Sequence, residues 1–213
     1  MHRITMYLDF VSPYAWLAFQ QLPNTLEGLS YQVQYRPVWL GALMQHHRNP
    51  AAVGVAPKRV WTYQHAQWLA QHLGTPIQLP AAHPFNSLPL LRLALQTSGD
   101  GTINRYVAET LFRHVWEGGG DALSSERIAQ LHIPLQQLLA LDSTSAERAK
   151  QLLRSNTDAA LAADVFGVPA FEVDGRMFWG IDSLPMLRDY LNGHPWFEGT
   201  QWSDAQALPS GMN

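Results

Sequence analysis

The sequence contains no cysteine. That absence excludes disulfides, zinc–thiolate sites, cysteine nucleophiles and any dithiol redox cycle carried by the chain itself. Basic residues are also few: Lys and Arg total 14 against 17 Asp and Glu, for a formal net charge of −3. With no run of Lys or Arg, no nucleic-acid partner is expected. No apolar stretch approaches the roughly 18 residues of a membrane span, and the opening MHRITMYLDF is too interrupted for a signal peptide. The expectation is therefore no membrane association and a cytoplasmic location. Phosphate-binding glycine loops and Gly-x-Ser-x-Gly elbows are missing too. The histidines do not make a metal site: His46 and His47 are adjacent, and His65 and His72 share a helix face without a third ligand.

What is present is a chain of 213 residues, 46% hydrophobic and rich in tryptophan, enough for one sizeable core or one domain carrying another. RITMYLDF (3–10) alternates as a strand, Ser12-Pro13 starts a helix running to Leu26 with Gly28 beyond it, and YQVQYRPV (31–38) alternates again. Strand, helix, strand in so short a unit implies parallel pairing. From Trp39 onward the pattern turns helical, with candidate helices at 57–73, 86–98, 101–116, 124–131, 133–141 and 145–155. Residues 157–166 are helical and lead to Gly167-Val168-Pro169-Ala170. AFEVDGRMFW then reads as two strands joined by a type I′ turn at Asp174-Gly175, and Asp182-Ser183 opens a last helix to Leu191. The pattern predicts an α/β, thioredoxin-like fold with a large all-helical insertion. Its expected division is 1–38 plus 157–195 for the thioredoxin-like domain, 39–156 for the insertion and 196–213 for a C-terminal tail.

Ser12 stands at the strand-to-helix junction, where free backbone N–H groups and the helix dipole favour negative charge. Redox members of such a fold place an attacking cysteine there. A serine cannot form a disulfide, but its hydroxyl can donate a hydrogen bond to a thiolate supplied from outside, of which glutathione is the obvious source. Capping the helix is the alternative role for Ser-Pro. Val168-Pro169, at the entry of the third strand, is compatible with a cis bond that turns the Val168 backbone towards an extended peptide, or with an ordinary trans proline. Gly180-Ile181-Asp182-Ser183 is either an amine-binding helix start or a self-capping one.

YLDFVSPYAWL near the start and FGVPAFEVDGRMFWGIDSL near the end together resemble the family of 2-hydroxychromene-2-carboxylate isomerases and kappa-class glutathione transferases, a branch of the DsbA-like group. The resemblance spans nearly the whole chain. It implies glutathione as cofactor, with its thiol beside Ser12, its cysteinyl backbone on Val168-Pro169 and its γ-glutamyl group at Ile181-Asp182. Where the family has Ser or Asn, this chain has Ile181, so only the backbone of that residue can serve. Asn49 and Lys58, more loosely aligned, are implied on the glutathione carboxylates, with Arg59 as an alternative to Lys58. Trp39, Phe85, Asn86 and Trp179 are candidates for the wall of an aromatic-substrate pocket, although Asn86 reads equally as a helix cap. The resemblance implies a homodimer and a glutathione-dependent isomerase of a small aromatic ring-cleavage product. A kappa-like transferase or peroxidase, and a non-catalytic peptide-binding module, are the alternatives.

Overall fold

The computed structural model describes residues 1–49, 52–141 and 144–209. A four-stranded sheet has the order β2-β1-β3-β4, with β1 spanning His2–Leu8, β2 Tyr31–Pro37, β3 Ala170–Val173 and β4 Arg176–Trp179. β1 lies parallel to β2 (His2 opposite Tyr31, Leu8 opposite Pro37) and antiparallel to β3 (Tyr7 opposite Ala170). The β3–β4 hairpin turns through Asp174 (φ 51°) and Gly175 (φ 75°), both left-handed, as a type I′ turn demands. The topology is thioredoxin-like, as the sequence pattern predicts.

Alternation along β1 feeds both faces of the sheet. Ile4, Met6 and Leu8 enter the main core, whereas Tyr7 packs with Val38, Leu43, Ala160, Val165, Val168 and Ala170 on the other side. Helix α1 (Pro13–Thr25) crosses from β1 to β2 and buries Trp16 and Phe19 against Phe10 and Phe112. Helices α3 (Ala56–His72), α4 (Leu88–Gln96) and α5 (Arg105–Trp116) follow the predicted positions within a few residues. The helical segment shares one core with the sheet, since Leu90, Leu111, Phe112 and Leu153 cluster with Ile4, Phe10 and Phe171.

Three departures from the sequence pattern have physical causes. Helix α2 (Leu40–His46) was not predicted, because its N-cap Trp39 has no capping side chain. Its Leu40 N–H is satisfied instead by the distant carboxylate of Asp9, at 3.0 Å. The two helices expected at 124–131 and 133–141 are one, α6 (Ser125–Leu141), which contains Pro134 and is held by the buried side chains of Leu131 and Leu135. Helix α7 (Ala146–Ala162) is likewise continuous where two helices were expected, and it runs through the 156/157 boundary drawn between insertion and sheet domain. There, Asn156 reaches the carbonyls of Pro37 and Gly101, so the helix is tied to the sheet edge and to the helical segment at once.

Beyond α8 (Leu184–Leu191), the tail is folded as far as it is described. A 3₁₀ turn (Pro195–Glu198) and α9 (Gln201–Ala207) bring Phe197 and Trp202 onto Phe178 of β4. The Arg176 guanidinium lies 5.3 Å from the ring centre of Tyr190 and 5.1 Å from that of Trp202. Residues 210–213 of the expected tail lie outside the described residues.

Candidate active site at the first helix

Ser12 is the N-cap of α1, with extended backbone, and the residue is only 6% exposed. Its Oγ accepts a hydrogen bond from the Ala15 N–H at 3.2 Å, so the capping role is real. The same hydroxyl donates to the Val168 carbonyl across 3.3 Å, a long bond for O–H···O. Ser12 and Val168, 156 residues apart, are thus neighbours. No acidic side chain sits in the first turn of α1 to neutralise its positive end.

The Val168–Pro169 bond is cis, as is His83–Pro84. Among the described residues the Val168 N–H donates to no protein acceptor. The Pro169 carbonyl accepts from the Gly180 N–H at 2.9 Å. This links the proline loop to the 3₁₀ turn Ile181–Ser183, which carries an exposed Asp182 carboxylate and a half-buried Ile181. Gly180 has φ 89° and ψ 161°, a conformation reserved in practice for glycine, and a Cβ there would collide with Asp182 Oδ1. Ser12, Val168, Pro169, Ile181 and Asp182 therefore form one continuous strip.

The remaining candidates are less closely joined. Asn49 and Lys58 are both exposed, and no hydrogen bond or ion pair among the described residues links either side chain to the strip. Trp179, 53% exposed, packs on Phe166 with ring centres 4.8 Å apart, and its indole covers Gly167. Trp39, at the start of α2, folds over Gly41. Phe85 lies 5.9 Å from the His83 ring. No ring contact joins Trp39, Phe85 and Trp179 among the described residues. The Asn86 Oδ1 is occupied by the Leu88 N–H at 3.2 Å, a turn bond made one residue before Ser87, which is the N-cap of α4.

Two groups beside Ser12 escaped the reading of the sequence. Asp9 is fully buried, accepting from Val11 N–H (3.1 Å), Leu40 N–H (3.0 Å) and Ser87 Oγ (2.9 Å). Burial pushes its carboxyl up to about 6, although the three donors oppose the rise. His83 places Nε2 2.7 Å from the Val11 carbonyl and Nδ1 2.8 Å from the Tyr63 hydroxyl; burial lowers its pKa. The only sequence signal for Asp9 was a carboxylate in a strand otherwise apolar at its end. His83 carried none.

Residues 3–192 match the family model of the DSBA-like thioredoxin domain. A glutathione S-transferase kappa 2 of Caenorhabditis elegans is 25% identical over 205 residues, covering 88% of this chain and 91% of that protein. A 2-hydroxychromene-2-carboxylate isomerase of Pseudomonas putida is 27% identical over 196 residues, covering 88% of this chain and 93% of that protein. Among solved structures, a 2-hydroxychromene-2-carboxylate isomerase superposes with a TM-score of 0.74 at 24% identity, covering 95% of this chain and 98% of that one.

Proposed function

The chain belongs to the DSBA-like thioredoxin domain family, and from that premise we propose that it is a glutathione-dependent isomerase acting on a 2-hydroxychromene-2-carboxylate-type compound. The observation that carries the proposal is the pairing of the Ser12 hydroxyl with the Val168 carbonyl beside Pro169, at the N-terminal end of α1, whose first turn holds no acidic side chain. The site's donor set fits glutathione. An available Val168 N–H and the adjacent carbonyl suit the cysteinyl backbone, the exposed Asp182 carboxylate suits the γ-glutamyl ammonium, and the Ile181 backbone lies beside it. Asn49 and Lys58 are proposed for the carboxylates.

When bound, glutathione would supply a nucleophilic thiolate for reversible addition to the conjugated substrate, the chemistry that allows ring opening and rotation to the open-chain benzylidenepyruvate without consuming glutathione. Ser12 stabilises the anion by turning its hydrogen away from Val168 towards the sulfur. A free thiol titrates near 8.5, and bringing it near 6.5 takes about 2.7 kcal/mol. A charge-assisted bond from Ser12 contributes about 1.5–3 kcal/mol and the helix end about 0.3–1. The bond given up to Val168 is long, so it subtracts at the low end of about 0.5–1.5 kcal/mol. Together these magnitudes bracket the requirement, and neither source meets it alone once the lost bond is subtracted. Trp39, Phe85 and Trp179 are proposed to wall the aromatic ring.

The kappa transferase relatives match at similar identity, and the same thiolate would serve irreversible transfer to an electrophile. Titration calorimetry with glutathione, followed by turnover of 2-hydroxychromene-2-carboxylate, separates the readings. Isomerisation with glutathione conserved supports the proposal; consumption of glutathione with a haloaromatic supports transfer. No binding at millimolar glutathione overturns both.

A further inference from the structure

The two peptide groups that lead into Ser12 are held at all four of their polar atoms. The Phe10 carbonyl accepts from Trp116 Nε1 at 2.9 Å, and the Val11 N–H donates to Asp9 Oδ1 at 3.1 Å. The Val11 carbonyl meets His83 Nε2 at 2.7 Å, and the Ser12 N–H donates to the Asp9 carbonyl at 3.1 Å. A turn so short, with no regular ladder of its own, needs such partners once water is excluded. Among the four, the bond from His83 is the shortest, and it acts on the peptide plane that contains the Ser12 nitrogen.

A carbonyl can only accept, so His83 Nε2 must carry hydrogen. In the neutral ring, Nδ1 is then an acceptor, and the Tyr63 hydroxyl donates to it. Tyr63 also sits 3.0 Å from the His83 carbonyl, which gives its hydroxyl a second acceptor on the same residue. Tyr63 belongs to α3, the helix that carries Lys58 in its first turn. The ring is further wedged against Phe85 and Trp116, with centres 5.9 and 5.4 Å away.

We propose that His83, oriented by Tyr63, is a positioning residue for Ser12: it fixes the Val11–Ser12 peptide and thereby the direction in which the Ser12 hydroxyl points. This rests on the glutathione reading above for its consequence, the lowered thiol pKa, but the positioning itself is a property of the ligand-free protein. A purely space-filling role predicts something different. An aromatic of similar size would then do as well, because the slot is lined by rings. If donation matters, a glutamine would do better than a phenylalanine, since its amide nitrogen can stand near the Nε2 position while phenylalanine leaves the Val11 carbonyl unpaired.

The experiment compares wild type with His83→Phe, His83→Gln and the milder Tyr63→Phe. In the presence of saturating glutathione, the thiolate absorbance is titrated with pH, and affinity is measured by calorimetry. His83→Phe is expected to raise the bound thiol pKa by about one unit, a tenfold loss of thiolate on the acid side, with affinity changed less than about threefold. His83→Gln is expected to stay within a few tenths of a unit, and Tyr63→Phe to fall between. In the ligand-free proteins, exchange of the Ser12 amide hydrogen is expected to be about tenfold faster in His83→Phe than in wild type and unchanged in His83→Gln. Equal thiol pKa values in wild type and His83→Phe, or equal damage by Phe and Gln, would overturn the proposal. If wild type fails to bind millimolar glutathione, the glutathione reading falls, and Ser12 amide exchange alone decides the positioning role. Equal exchange in wild type and His83→Phe then overturns it.

Discussion

Replacing Asp9 by asparagine should remove an acid-side gain in stability that the wild-type fold carries. The Asp9 carboxyl is raised from an ordinary 3.8 to about 6 in the folded protein, chiefly by burial. The folded state therefore holds this proton more tightly than the unfolded chain, and stability from Asp9 rises as pH falls through 6, levelling off below 3.8. A shift of about two units corresponds to about 3 kcal/mol over the whole window, of which about 2 kcal/mol falls between pH 7 and pH 4.5. His83 and His114, both lowered by burial, act in the opposite direction, because the unfolded chain takes up protons that the fold refuses. The measurement must therefore be the difference between wild type and Asp9→Asn, from urea denaturation at pH 4.5, 5.5, 7 and 8.

At pH 7 the variant is relieved of a buried charge, worth about 3 kcal/mol. It also turns an amide NH₂ against either Val11 N–H or Leu40 N–H, and an unsatisfied buried donor costs about 1–3 kcal/mol. The net change at pH 7 is expected to be small, while wild type should gain about 2 kcal/mol on the variant by pH 4.5. A difference that stays constant from pH 8 to 4.5, or that shrinks as pH falls, would refute the assignment of a raised pKa to Asp9.

Ser12→Ala should keep glutathione affinity within about threefold yet lose about 10- to 100-fold in activity, with about 1 kcal/mol of stability lost with the cap; unchanged initial rates would leave Ser12 as a helix cap only. Gly180→Ala forces a side chain into a left-handed backbone and against the Asp182 carboxylate, so it should lower stability by about 1–3 kcal/mol and weaken glutathione binding in calorimetry. Gly167→Ala puts a Cβ 2.8 Å from the Trp179 indole nitrogen, and it should raise KM for the aromatic substrate while leaving the bound thiol pKa unchanged in the absorbance titration.

The sheet and its flanking helices were legible in the sequence because their signals are local. Alternation marks β1 and β2, Ser12-Pro13 marks the start of α1, and Asp174-Gly175 marks the hairpin, each within a handful of residues. What was missed depends on partners far away in the chain. Helix α2 lacks its own cap and borrows Asp9, 31 residues upstream, so no pattern inside Leu40–His46 announces it. The breaks expected within α6 and before residue 157 were overridden by packing: Pro134 sits inside a helix whose Leu131 and Leu135 are buried, and Asn156 and Thr157 are engaged by their tertiary partners. His83 is the same case at the site itself. Its role is defined by a carbonyl 72 residues earlier, and a histidine alone in a loop carries no spacing to read.

Ser12 was open to two readings in the sequence, cap or thiolate donor, as if one excluded the other. The geometry makes the two roles compatible, because they would use different parts of one hydroxyl. The cap uses an oxygen lone pair to accept from the Ala15 N–H, and this leaves the hydrogen free to point elsewhere. In the ligand-free protein that hydrogen goes to Val168, over a distance long enough to make the bond a weak competitor. Under the proposed glutathione reading, a thiolate beside Pro169 would be a stronger acceptor than a neutral carbonyl, so the hydrogen would need only to rotate about the Cβ–Oγ bond. The oxygen itself need not move, provided its backbone is held. That condition is what Asp9, Trp116 and His83 together meet at the peptide groups before it. Capping then assists the donor, since the Ala15 N–H that bonds to the oxygen polarises the O–H and strengthens the bond it makes to an anion.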